Sequence, residues 1–231
     1  VNSDRVIALK FPAYLVPHPN KVCWVLHQYR QAYDLFDAGQ SNIPTTPRGD
    51  AIRHMIHTAD NDALGTARSL FTLSPTGQER MRRYNKLEAQ VLPQPLNDPE
   101  LFTGGEPSGY VFAGGRVGRA KRQAMLVRAL AYAPGVRLVI AGPPDDASVG
   151  PALAALAAEV GVTNRLTLDL RFLPRAEIAG LVNGASACAY IPFDEDSVGY
   201  VTMEAFQAGK PVVSATDSGG VLELCVTVKL A

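Results

Sequence analysis

Residues 190–220 read YIPFDEDSVGYVTMEAFQAGKPVVSATDSGG, and the order of elements in this stretch decides the fold. Ala187 to Ile191 is a short apolar run stopped by Pro192, and Val201 to Ala208 carries helix formers closed by Gly209 with Pro211 beyond it. Pro211 to Ala215 reads as the next buried strand, followed by a glycine turn. Strand, acidic loop, helix and strand in that order place a helix start at the carboxyl edge of a parallel sheet, where open α/β proteins bind ligands. The free amides of that helix start offer donors to an anion, and Gly199 lets a ligand approach the backbone closely. The pattern predicts a site for a phosphorylated ligand.

Two sets of charged residues frame that site. Glu204 falls in the first turns of the helix, where a carboxylate can accept two hydrogen bonds from a vicinal diol such as a ribose. Asp196 stands eight positions before it and Glu195 nine. Upstream, the strand Gly109 to Ala113 runs into GGRVGRAKRQAMLVRAL, a glycine-rich turn and then a helix expected to bury Met125, Leu126 and Leu130. Gly114, Gly115 and Gly118 lack the spacing of a dinucleotide fingerprint, and no Gly-Lys-Ser/Thr of a nucleoside-triphosphate loop occurs. What the turn supplies is Arg116 and, five residues on, Lys121; Arg119 and Arg122 are expected to face water.

The acidic residues resemble the paired-carboxylate motif, Glu, seven residues, Glu, of family 4 retaining glycosyltransferases, and Arg116 with Lys121 resembles the pair that this family sets on the donor's diphosphate. By spacing the first acid is Asp196. Matching the FDED run to the family pattern puts it instead on Glu195, with one residue inserted near Ser197 and Val198. The resemblance runs from VIALKFPAYL near the start to the SGG turn, and Arg171 departs from it where the family usually has glycine.

Composition fits ordinary globular material: 231 residues, 47% hydrophobic, with 22 basic against 22 acidic residues. That balance lacks the basic excess that nucleic acid or an anionic membrane surface would call for. Cys23, Cys188 and Cys225 sit apart in apolar contexts without metal-ligand spacing and read as reduced core thiols, which suits a cytoplasmic location. No apolar run approaches the ~18 residues of a membrane span. The chain opens on Val1 just before an apolar strand and closes on VTVKLA, which does not complete the helix begun by SGGVLELC, so both ends read as cut.

The remaining segments alternate in type. Val6 to Leu9 and Val22 to Leu26 read as strands buried on both faces, with His27 directly after the second, and a helix opens at Thr46 and Pro47. His54 and His57 are three apart on that helix, but no third ligand at a matching spacing accompanies them, so a solvated face is expected rather than a metal. Ser69 to Leu73 is a strand, Ser74 and Pro75 start a helix, and Ala89 to Leu92 is a short strand. Pro93 to Ser108 has linker chemistry, which puts a domain boundary near residue 100. Strands and helices then alternate from Gly109 to Ala215, as in a parallel, doubly wound sheet.

The resemblance implies an α/β chain of GT-B fold, two Rossmann-like domains with parallel sheets. Residues 1–100 would be the later part of the acceptor-side domain, incomplete at its start, and residues 101–231 the donor-binding domain, incomplete at its end. The implied reaction moves a sugar from a nucleotide-diphosphate donor to a sugar, lipid or other acceptor with retention of configuration. It uses no cofactor and no metal, and leaves peripheral membrane contact open. Arg116, Lys121, Gly199 and Tyr200 would hold the diphosphate, Glu204 the ribose, and Glu195 or Asp196 the sugar, with His27 near the anomeric centre. The rival expectations are a fragment that binds nucleotide weakly without turnover, and a sugar-nucleotide epimerase on the same architecture.

Overall fold

In the computed structural model, residues 3–225 are described; Val1 and the closing VTVKLA lie outside them. The chain divides between Gln94 and Pro95 into two compact units.

The first unit begins with β1 (Val6–Ala8) and β2 (Lys21–Val25), then a short α1 (Asp34–Asp37) and the long α2 (Pro47–Gly65). Thr46 caps α2, its hydroxyl accepting from the Gly49 amide at 3.2 Å, with Pro47 following as the sequence leads one to expect. After β3 (Ser69–Thr72), Ser74 caps α3 (Pro75–Arg80) in the same way, accepting from the Gly77 amide at 3.0 Å, and β4 (Gln90–Val91) ends the unit. The four strands are parallel in the order β1-β2-β3-β4.

Val6 to Leu9 is not buried on both faces: it is an edge strand, and Ile7 and Leu9 are 68% and 40% exposed. His54 is exposed, and His57 stacks on Tyr33 with ring centroids 4.2 Å apart while its Nε2 lies 2.9 Å from the Ala32 carbonyl.

A polar knot fixes the packing of α2 in this unit. The Asp60 carboxylate, wholly buried, accepts from the Tyr14 hydroxyl at 2.9 Å and the Tyr33 hydroxyl at 2.7 Å. The buried Lys21 amine donates to the carbonyls of Tyr14 and Ala63 at 2.9 and 2.7 Å. Burial pushes the Asp60 carboxyl above its usual range, an effect its two tyrosine donors oppose. Asp60→Ala strands two buried hydroxyls and is expected to lower the stability of this unit by about 3 kcal/mol. Trp24, the single tryptophan, lies in β2 and reports that loss by fluorescence during urea unfolding; an unshifted midpoint would show that the knot contributes nothing.

The second unit contains β5 (Tyr110–Gly114), α4 (Gln123–Ala129), β6 (Arg137–Ala141), α5 (Val149–Glu159), β7 (Leu166–Asp169), α6 (Arg175–Asn183), β8 (Ala187–Ala189), α7 (Tyr200–Gln207) and β9 (Val212–Val213). Its five strands are parallel in the order β7-β6-β5-β8-β9. Apolar side chains from α4 and α5 join Leu138 and Ile140 in one core, while those from α6 and α7 join Phe112 and Cys188 in another. Both faces of the sheet are therefore covered, as a parallel sheet requires.

Two expectations are corrected here. Pro211 to Ala215 is not a buried strand: β9 lies at the sheet edge and Val213 is 52% exposed. On α4 the buried face is Gln123, Val127 and Leu130, and Met125 is 48% exposed. Gln123 displaces it because its side chain closes the preceding turn, its Oε1 accepting from the Gly118 amide at 3.1 Å and its Nε2 donating to the Arg116 carbonyl at 3.0 Å.

Candidate functional site

Strand β5 is flanked by β6 on one side and β8 on the other, so the chain changes direction across the sheet between β5 and β8. Loops leaving two such strands diverge to opposite faces and open a crevice at their carboxyl ends. Here those loops are residues 115–121, the cationic turn, and residues 190–199, the acidic loop. They carry all but two of the site residues expected in the second unit; Tyr200 follows the acidic loop directly and opens α7, which also bears Glu204.

The two loops touch. The Phe193 amide donates to the Ala120 carbonyl at 2.9 Å, and the Lys121 amine is salt-bridged to the Glu195 carboxylate. The same amine donates to the Tyr190 hydroxyl at 2.9 Å, and that hydroxyl donates to Glu195 at 3.2 Å. Burial pulls the Lys121 ammonium down, but Tyr190 and Glu195 together more than offset it and hold the amine above its usual value. Tyr190 itself is pushed up to about 12, by burial first and then by Glu195.

The glycine turn after β9 closes on the acidic loop: the Glu195 amide donates to the Ser218 carbonyl at 3.2 Å and the Gly220 amide to the Glu195 carbonyl at 2.8 Å. Gly219 has φ +63°, and a β-carbon there would meet the Glu195 backbone at 2.5 Å, so glycine is required on both counts. Gly199, at φ +73°, has a different reason from the one its sequence suggested. The ring of Tyr190 fills the space where a β-carbon would stand, 2.3 Å away, so this face of Gly199 packs against the protein itself.

A cleft of about 290 Å³ opens beside these loops, lined by Arg116, Pro143, Phe172, Tyr200, Val201 and Glu204 among others. Arg116 is exposed and only loosely paired, 3.8 Å from Asp145. Tyr200 is 42% exposed, whereas Glu204 is buried and its carboxylate is salt-bridged to Arg175 at the start of α6. Arg116 and Glu204 thus share one cleft on one edge of the sheet. Lys121 and Glu195 are joined to each other, and Asp196, next in the loop, is 5% exposed. A larger groove of about 580 Å³ runs between α4 and α5 past Met125 and Leu153; it holds neither Glu204 nor Lys121.

Three side chains were misread or missed from sequence. Arg122 does not face water: its guanidinium donates to the Ile191 and Pro192 carbonyls at 2.7 and 2.8 Å and forks onto Asp217 at 2.8 and 2.7 Å. Gln123 and Arg175 carry no motif; Gln123 takes its role from the turn just before it, and Arg175 from Glu204, 29 residues on. Arg171 bonds to Asp169 at 2.8 and 2.6 Å and to Glu177 at 3.2 Å on the surface. His27 belongs to the first unit, where it is exposed just after β2 with Nδ1 2.8 Å from the Gln28 carbonyl. Among the described residues no group of three or more His, Cys, Asp or Glu side chains could hold a metal ion, and no helix is long and apolar enough to cross a membrane.

Comparison with known proteins gives concordant findings. The family model described as Glycosyl transferases group 1 matches residues 104–227. D-inositol 3-phosphate glycosyltransferases from Mycobacterium marinum and Mycolicibacterium smegmatis are 36% and 38% identical over 110 and 109 residues, 46% of this chain. The match spans 22% and 24% of those relatives' own length. Among solved structures, Anabaena HepE in complex with UDP and glucose superposes with a TM-score of 0.64 at 17% identity, covering 96% of this chain and 83% of that one. Sucrose-phosphate synthase from Thermosynechococcus elongatus gives 0.66 at 20% identity, covering 88% and 51%. These neighbours share the GT-B fold, with parallel sheets of the kind seen in both units here.

Proposed function

Because the chain belongs to the glycosyl transferases group 1 family, we propose that its second unit binds a nucleoside-diphosphate sugar at the carboxyl edge of the β5–β8 crevice and serves transfer of that sugar with retention of configuration. The observation that carries this reading is the convergence of the two charged loops: Lys121 reaches Glu195 across the crevice while Arg116 and Glu204 line one cleft.

In this reading Lys121 and Arg116 meet the diphosphate, and the free amides at the start of α7, from Gly199 and Tyr200 onward, add donors without a side-chain cap in the way. Breaking the bond between sugar and diphosphate leaves charge on the departing group. Cations and amides already fixed in place stabilise that charge without reorganising. Glu204 accepts from the ribose hydroxyls. Glu195 or Asp196 orients the sugar; as the diphosphate engages Lys121 it competes with Glu195, which turns that carboxylate towards the sugar. No cofactor or metal enters, the substrate being the nucleotide sugar itself, and the acceptor is a sugar, lipid or other hydroxyl compound. That UDP is present in the HepE complex supports a nucleotide donor as the class to test. The role implied for His27 lies in the first unit and is not needed for donor binding.

The test is thermal unfolding of the 231-residue chain with UDP, GDP and ADP. A ligand bound only by the folded state at a hundred times its dissociation constant adds about 2.7 kcal/mol of stability. One of the three is expected to raise the midpoint, and Glu204→Ala to remove the rise; no shift with any of them argues against donor binding. The anomeric configuration of a transferred sugar, read by NMR, decides retention.

A further inference from the structure

We propose that Arg175 is a positioning residue that aims Glu204 at the donor's ribose, an inference resting on the ribose-binding role given to Glu204 above. Buried carboxylates need partners. The Glu204 side chain is 5% exposed, and one of its oxygens, Oε1, is salt-bridged to Arg175. Oε2 has no protein donor among the described residues, so the carboxylate retains one acceptor oxygen for a ligand in the cleft that Glu204 lines.

The guanidinium that holds Glu204 is itself fixed from the other side. Nη2 donates to the Asn97 carbonyl at 2.6 Å, Nε lies 3.5 Å from the Asp98 carboxylate, and the group sits over the Phe102 ring, 4.6 Å from its centroid. All three partners belong to residues 97–102, which precede the first strand of the sheet. Arg175 therefore transmits the position of that segment to the ribose-binding oxygen. Lysine cannot reproduce this: it offers a point charge where Arg175 uses a planar fork and a stacked face. Nothing in the motif of paired acids points to Arg175, since its 29-residue separation from Glu204 is bridged only by folding.

The consequence is specific. A loosened Glu204 no longer holds its acceptor oxygen on the ribose, so the hydroxyl-dependent part of nucleotide affinity is lost, while the diphosphate-dependent part, held by Lys121 and Arg116, stays. The experiment measures dissociation constants by calorimetry for UDP, GDP and ADP and for their 2′,3′-dideoxy counterparts. A hydroxyl donating to a carboxylate gives wild-type protein a preference of about ten- to a hundred-fold for the ribose form. Arg175→Met is expected to bring that ratio to within about threefold of unity, and Arg175→Lys to recover only part of it. Global loosening would instead weaken both forms alike and leave the ratio intact, which overturns the inference while sparing the ribose role of Glu204. A wild-type ratio near one overturns both. Should Arg175→Met not fold, Arg175→Lys carries the decision, since a fully retained ratio in that variant contradicts the need for the fork. In a Glu204→Gln background, adding Arg175→Lys is expected to change the ratio no further; an additive loss would place the action of Arg175 elsewhere.

Discussion

Lys121→Ala is expected to weaken nucleoside-diphosphate binding by at least about a hundredfold and to lower any transfer rate by about 10²–10³-fold. The size follows from what the substitution leaves behind. Lys121 is only 25% exposed and is joined to Glu195, itself 18% exposed, with Tyr190 against both. Removing the amine deletes the fixed cation and also takes the ion pair with Lys121 from the Glu195 carboxylate where the diphosphate must come, so attraction gives way to repulsion. Arg116 is 64% exposed and loosely paired, and Arg116→Ala removes only that loose contact; a loss of about tenfold is expected there. Lys121→Ala with Glu195→Gln should regain part of the lost affinity, because the repelling charge goes too. Equal losses for Lys121→Ala and Arg116→Ala in calorimetric titrations with UDP would sink this account. The pH dependence has a definite sign. The folded-state amine titrates above its ordinary 10.5, so its contribution to stability is full below that value and is lost only as pH rises through the folded pKa. Affinity should therefore show no alkaline loss from Lys121 at neutral pH.

The sequence was informative wherever a feature is local. Capping residues such as Thr46 and Ser74, the glycine and proline that end α7, and the alternation of apolar runs with helical stretches all depend on neighbours a few positions away, and the elements they predict are present. Exposure of a strand depends instead on its place in the sheet. Val6 to Leu9 and Pro211 to Ala215 look like interior strands because they are apolar, but strand order puts both at edges. The α4 face was misassigned for a related reason: hydrophobicity favours Met125, whereas the Gly118 amide and Arg116 carbonyl recruit Gln123 inward. For the candidate site, the charged residues were legible as motif positions, but the network among them was not. Arg122 sits among four cationic residues in a loop, and solvent is the ordinary reading for such a side chain; its partners Ile191, Pro192 and Asp217 lie 69 to 95 positions away.

That network makes Arg122 the second large expectation: Arg122→Ala should destabilise the second unit by about 3 kcal/mol and abolish the nucleotide-induced thermal shift. Its guanidinium, 16% exposed, is the fastener between three segments: the end of the cationic turn, the Ile191–Pro192 backbone that opens the acidic loop, and Asp217 in the glycine turn. Losing it leaves two buried residues' carbonyls without their donor and frees the turn that aims Lys121. The backbone cost works the other way. Arg122 has φ +57°, a left-handed conformation that glycine adopts freely, so Arg122→Gly should be less damaging to stability than Arg122→Ala by about 0.5–1 kcal/mol while losing nucleotide binding as completely. Acid unfolding gives an independent check. Arg122's hydrogen bonds hold the Asp217 carboxyl below its usual 3.8, so the pair adds stability above that value and loses it as pH falls through the lower folded pKa. In Arg122→Ala this acid-side loss should vanish from the second unit's unfolding, followed by hydrogen exchange, while the Trp24 transition of the first unit stays where it was. If the variant unfolds and binds nucleotide like the parent, the two loops are held together by their backbone contacts and by Lys121 with Glu195 and Tyr190, and the Arg122 side chain has no part in building the crevice.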